Sequence, residues 1–106
     1  MDAPTATLDE CQDDIGAWGD ATFPHSTIDT VMAHLAEEVA EFFDDWRAGR
    51  ETQEEEAADV LLLLLHYAHK RGFSLRARAA EKMALNRARR WKATPEPAGH
   101  VTHEAA

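Results

Sequence analysis

The residue types and spacings best suited to chemistry in this 106-residue chain are carboxylates, placed as E37-E38-V-A-E41 and again as E56-A-A-D59. At about 100° per residue, Glu38 and Glu41 lie about 60° apart on a helix, and Glu56 and Asp59 repeat that arrangement. Four carboxylates brought to the edge of a core repel one another and lose hydration, which is unfavourable unless cations neutralise them. Oxygen-only ligands suit a hard ion such as Mg²⁺ or Mn²⁺. The competing interpretation is a solvated acidic face, as for D44-D45 and E54-E55-E56. For any single Glu the solvated face is the commoner case, and the position of both pairs beside an apolar stripe raises the weight of the cation site. His34 and Asp45 project onto the same strip as Glu38 and Glu41, where each either supports a ligand or touches a substrate, although a helix His is often only a surface group.

The elements that must position these groups are helical. Val and Ile are scarce beside Ala, Leu and Glu, and no run of alternating β-branched residues exists, so an all-α fold is predicted. A first helix starts after Thr7, which forms a capping box with Glu10, and stops near Trp18-Gly19. A second takes Ser26 or Thr27 as N-cap and runs to about Ala48, with Gly49 as its stop. Thr52 with Glu55 is the next capping box, opening a third helix that ends at Gly72. Ser74 caps a fourth, which runs to about Lys92.

In the second helix Ile28, Val31, Leu35, Val39, Phe42 and Trp46 share one core stripe. In the third, Val60, Leu61, Leu64, Tyr67 and Ala68 make a stripe that Leu62, Leu63 and Leu65 extend almost around the cylinder. The short turn predicts an antiparallel hairpin, with Glu41 and Asp59 at similar depth, about 10 Å from the turn. The leftover apolar face of the third helix predicts cover by another subunit. His66 and His69, near the end of that helix, are explained by its dipole.

Charge is divided along the chain. Residues 1–69 carry −15, residues 70–92 carry +8, and the total is −9. On the fourth helix Arg78, Lys82, Asn86 and Arg89 fall on one face, a pattern suited to a phosphate chain or, equally, to a solvated basic helix. The net charge excludes a general nucleic-acid coat, and direct nucleic-acid binding is not expected. Metal between carboxylates and phosphates reconciles the two halves.

One domain is expected over residues 7–92, flanked by a flexible N-terminus, 1–6, and a flexible tail, 93–106, rich in Pro and Gly. The single Cys11 offers no internal disulfide and no Cys-based zinc site. No signal peptide is visible, and the longest apolar run has six residues, far short of the ~20 that span a bilayer. A cytoplasmic protein with no membrane partner is therefore predicted.

The ordered set E37-E38-x-x-E41 and E56-x-x-D59 resembles the signature of the MazG-like, all-α nucleoside triphosphate pyrophosphatases. W18-x-x-x-x-F23-P24, H34-L35-x-x-E38, E56-x-A58-D59 and K82-x-x-x-N86-x-x-R89-x-W91 extend the resemblance to the phage and bacterial dATP/dGTP pyrophosphohydrolase branch, over about Trp18 to Trp91. The resemblance implies a bundle of four or five helices, assembled as a homodimer or homotetramer. It also implies two or three Mg²⁺ or Mn²⁺ ions per site and cleavage of a nucleoside triphosphate to monophosphate and pyrophosphate. Carried onto this chain, Glu38, Glu41, Glu56 and Asp59 would be metal ligands, and Glu37 or Glu38 would orient or deprotonate the attacking water. Lys82, Asn86 and Arg89 would contact phosphates or the metal shell, with Arg78 on the same face. The branch points to purine deoxynucleotides, guanine favoured, with His34, Trp18 and Phe23 as groups that either border the base or pack the core and loop. The alternatives are a non-catalytic helical interaction module and a pyrimidine or damaged-nucleotide pyrophosphatase of the same fold.

Overall fold

The computed structural model describes residues 5–90. The expected N-terminal segment begins before these residues, and Trp91, Lys92 and the tail 93–106 lie outside them. Four helices follow in order: α1 (Leu8–Thr22), α2 (Ile28–Ala48), α3 (Gln53–Arg71) and α4 (Leu75–Ala88), and no strand occurs among the described residues. They divide into two compact units, the first ending at Arg76 and the second beginning at Ala77.

The first unit is built around α3, which packs against both α2 and α1. Its nearly continuous apolar surface has that cause: Leu65 and Ala68 are fully enclosed, and α1 occupies part of the face expected to await another subunit. Some of that face remains open, with Leu61 and Leu62 exposed. On α2 the stripe is buried at Val31, but Trp46, placed in the core by its spacing, is 60% exposed. Trp46 lies at the end of the helix, where the chain turns away into α3 and leaves the indole uncovered.

Helix ends show which polar groups compete for backbone partners. The Thr7 hydroxyl accepts from the Glu10 amide, and Glu10 returns the bond, giving the expected box. Thr27, and not Ser26, caps α2, with Thr30 as its reciprocal partner. Thr52 departs from expectation. Its hydroxyl makes no cap bond and instead donates to Asp45 Oδ2 at 2.5 Å, a charged acceptor being stronger than an amide partner. Arg50 Nη1 donates to the other oxygen of Asp45 at 2.8 Å. The Asp45 carboxyl, held below its usual range first by Thr52 and then by Arg50, therefore fastens the α2–α3 turn. Gly49 and Gly72 close α2 and α3 in the left-handed region, φ 66° and 79°, where a side chain would be strained.

Helix α1 does not stop at Trp18-Gly19 but continues to Thr22. The glycines serve close approach. A Cβ at Gly19 would lie 2.7 Å from His66 Cε1, and one at Gly16 would collide with the His69 ring. Gly16 and Gly19 on α1 thus meet His66 and His69 on α3, both pairs spaced by three residues. Buried Gln12 fastens the following segment, its Nε2 donating to the Phe73 carbonyl at 2.6 Å and its Oε1 accepting from Leu75 N–H at 3.1 Å. Asp9 adds bonds from Ser74 Oγ and Arg76 Nε, which lower its pKa in that order.

Candidate metal centre and nucleotide pocket

The α2–α3 hairpin brings Glu38, Glu56 and Asp59 together, with one carboxylate oxygen from each lying within 4.8 Å of the others. Glu38 and Glu56 are half-buried and Asp59 is exposed. Glu38 Oε2 and Glu56 Oε2 are buried without a hydrogen-bond partner among the described residues. Two ionised carboxylates facing each other cannot hydrogen-bond to one another, so these oxygens call for a proton, a cation or an outside donor such as water. Desolvation of the Glu56 carboxyl is the largest cause of its pKa being pushed up to about 7, followed by its hydrogen-bonding and charge interactions with Glu38 and by the charges of Glu41 and Asp45. Glu41 is also raised, chiefly by the charge of Glu38. It is exposed and outside the three-residue cluster, one helical turn along α2, within electrostatic reach of Glu38. An all-oxygen set with orphaned buried acceptors and raised pKa values fits a hard divalent cation.

His34 Nε2 lies 3.2 Å from Glu38 Oε1, so this exposed imidazole supports a proposed ligand from the preceding turn. Glu37 is exposed and does not join the cluster. In the second unit α4 carries Arg78, Lys82 and Asn86, with Arg89 one residue beyond its end. Arg78 pairs with Glu81 at 3.1 Å, while Asn86 and Arg89 are half-buried.

A pocket of about 790 Å³ opens beside the carboxylates. Glu38, Asp59 and His34 line one part of it, and Trp18, Phe23, Leu62, Leu63 and His66 furnish other walls. Trp18 and Phe23 are half exposed and meet edge to face at 5.7 Å, which leaves ring surface available. The volume and apolar lining suit a small organic ligand anchored by a few polar groups. The pocket thus unites the three residues proposed from sequence to border a base.

Asp20 and His66 were not singled out for this site by their spacing. Buried His66 points Nε2 at Asp20 Oδ1, 3.1 Å away, and His69 Nε2 lies 3.4 Å from Oδ2. Lys70 Nζ completes the cluster, 2.9 Å from Asp20 Oδ1 and 3.1 Å from the Ser26 carbonyl. His66 and then Lys70 pull the Asp20 pKa down to about 2. The two histidines thus answer a carboxylate on α1, and not only the α3 dipole. The matched three-residue spacing of Gly16-Gly19 and His66-His69 was the available signal.

The fold and the site together define a class: all-α domains that gather carboxylates from a helical hairpin to hold divalent cations beside an apolar pocket. The chain belongs to the MazG nucleotide pyrophosphohydrolase domain family, whose profile matches residues 26–90. It is 35% identical over 88 residues to a dATP/dGTP diphosphohydrolase of Salmonella phage PMBT28, covering 83% of this chain but 29% of that longer protein. It is 36% identical over 86 residues to a dATP/dGTP diphosphohydrolase of cyanophage S-2L, covering 81% of this chain and 79% of the relative. Among solved structures, the cyanophage S-2L MazG-like pyrophosphohydrolase bound to dGDP and three catalytic Mn²⁺ ions per active site superposes with a TM-score of 0.80. The two are 32% identical, and the match covers 95% of this chain and 96% of the other.

Proposed function

We propose that this protein is a divalent-cation-dependent pyrophosphohydrolase that converts a purine deoxynucleoside triphosphate, dGTP or dATP, to its monophosphate and pyrophosphate. The observation that carries the proposal is the convergence of Glu38, Glu56 and Asp59, with two orphaned buried oxygens, beside a nucleotide-sized pocket. Glu38, Glu41, Glu56 and Asp59 would hold two or three Mg²⁺ or Mn²⁺ ions. When bound, such ions lower the pKa of water and neutralise charge on the phosphates.

The protein's own groups supply orientation and charge. His34 fixes the Glu38 carboxylate, and Glu37 or Glu38 orients the attacking water. Lys82, Asn86, Arg89 and Arg78 would bind phosphate oxygens, Arg being able to hold two at once. Trp18 and Phe23 would border the base. A homodimer or homotetramer is proposed, with exposed Phe43, Trp46, Leu61 and Leu62 available for burial between copies. No helix among the described residues is long and apolar enough to cross a membrane, and work on free nucleotides in the cytoplasm of an infected cell fits the phage relatives.

The test is a panel of NTPs and dNTPs incubated with Mg²⁺, Mn²⁺ or EDTA, with monophosphate and pyrophosphate quantified. Metal-dependent release of dGMP or dAMP is expected. Release from pyrimidines alone would overturn the purine assignment, and no metal-dependent release from any nucleotide would favour the interaction module.

A further inference from the structure

The Asp20 cluster has a chemical consequence beyond joining α1 to α3. Asp20 is acceptor-only when ionised, so the 3.1 Å contact requires the proton of His66 to lie on Nε2. In the neutral imidazole the remaining nitrogen, Nδ1, is then an acceptor. Nδ1 has no hydrogen-bond partner among the described residues, and its side chain lines the pocket. Gly19 leaves space for the ring at this position, since a Cβ there would lie 2.7 Å from Cε1. His66 also stands seven residues along α3 from Asp59, roughly 10 Å at 1.5 Å per residue. A nucleoside bridges such a span from its α-phosphate to the far edge of its base.

We propose that His66 is a base-reading residue that accepts a hydrogen bond through Nδ1 from an N–H donor on the purine edge, and that Asp20 is the positioning residue that fixes this tautomer. Guanine offers N1–H and its 2-amino group, and adenine offers its 6-amino group. An unsubstituted purine offers no base N–H. Lys70 contributes by bonding both Asp20 and the Ser26 carbonyl, which ties the pocket loop to the same carboxylate. His66 therefore selects a donor-bearing base, and Trp18 and Phe23 supply only surface that any base can use. The inference rests on the nucleotide reading of the pocket but requires no turnover to test.

The experiment measures equilibrium binding of dGDP, dADP and the unsubstituted purine deoxynucleoside diphosphate to the full-length protein with Mn²⁺, alongside dGTP and dATP hydrolysis. The wild-type protein should bind dGDP or dADP about 3- to 10-fold more tightly than the unsubstituted purine, the scale of one hydrogen bond. His66→Phe and Asp20→Ala should remove that preference by weakening only the donor-bearing ligand. His66→Asn, which can restore an acceptor near Nδ1, should recover part of it. A wild-type protein with no preference, or variants that weaken all three ligands equally, would overturn the assignment. Absence of the preference in the wild-type protein overturns the assignment even where a variant fails to fold, and Asp20→Ala and His66→Asn carry the test where His66→Phe does not fold. Preference that depends on His66 without any triphosphate hydrolysis would overturn the proposed activity but retain the base-reading role. Hydrolysis with no His66-dependent preference would do the reverse.

Discussion

Glu56 is the residue on which the chemistry of the cluster is most visible. Its pKa, pushed up to about 7 above an ordinary 4.5, means that the folded chain holds a proton there that the unfolded chain has released. The stabilising effect of that proton is full below pH 4.5 and is lost as pH rises through 7. The metal-free protein should therefore lose stability between pH 5 and 8 through this group, and a cation that replaces the proton should reverse the loss. Thermal melts with and without Mn²⁺ should show a larger metal-induced rise in Tm at pH 8 than at pH 6; equal rises would contradict the linkage. Glu56→Gln should flatten the pH dependence of the metal-free protein over that interval and weaken Mn²⁺ binding at least about 10-fold, measured by calorimetry. Spacing was enough to nominate Glu38, Glu56 and Asp59, because a hairpin of two regular helices carries each residue to a calculable depth. It could not show which of the four acids lie close together in the single chain or that Asp45 bonds Arg50 and Thr52, since those outcomes depend on side-chain partners and not on helical phase.

At the scale of elements, α3 is held from both sides, and its contact with α1 depends on missing side chains. Gly16→Ala should gain roughly 1 kcal/mol in helix propensity but lose more through collision with His69, since overpacking costs about 1–3 kcal/mol. A fall in Tm of several degrees is expected by circular dichroism, and an unchanged or raised Tm would refute the close-packing account. Asp45→Ala should open the α2–α3 turn by removing the acceptor for Arg50 and Thr52, lowering stability by about 1–3 kcal/mol in a denaturant titration. Unchanged stability would show that the turn needs neither bond. The caps at Thr7 and Thr27 and the stops at Gly49 and Gly72 were legible because each satisfies a local rule. The extension of α1 past Gly19 was not, because a glycine used for helix contact has the same local pattern as one used to end a helix.

For the whole molecule, charge is divided along the chain. The acidic portion supplies the carboxylate cluster and pocket walls, and the basic α4 carries the proposed phosphate ligands. Trp46 shows the limit of reading one chain: helical phase placed it inward, yet in the single chain it is exposed and becomes part of a proposed contact between copies. Sedimentation should give a dimer or tetramer, and a monomer at working concentration would contradict that proposal. The central claim is that Glu38, Glu56 and Asp59 form the cation centre for cleavage of a purine triphosphate. It is tested most directly by Mn²⁺-dependent release of dGMP from dGTP by the wild-type protein and Asp59→Asn, compared at matched helicity. The variant should turn over at least about 100-fold more slowly, as loss of a direct ligand exceeds loss of a supporting contact. Wild-type rates in the variant would contradict the account.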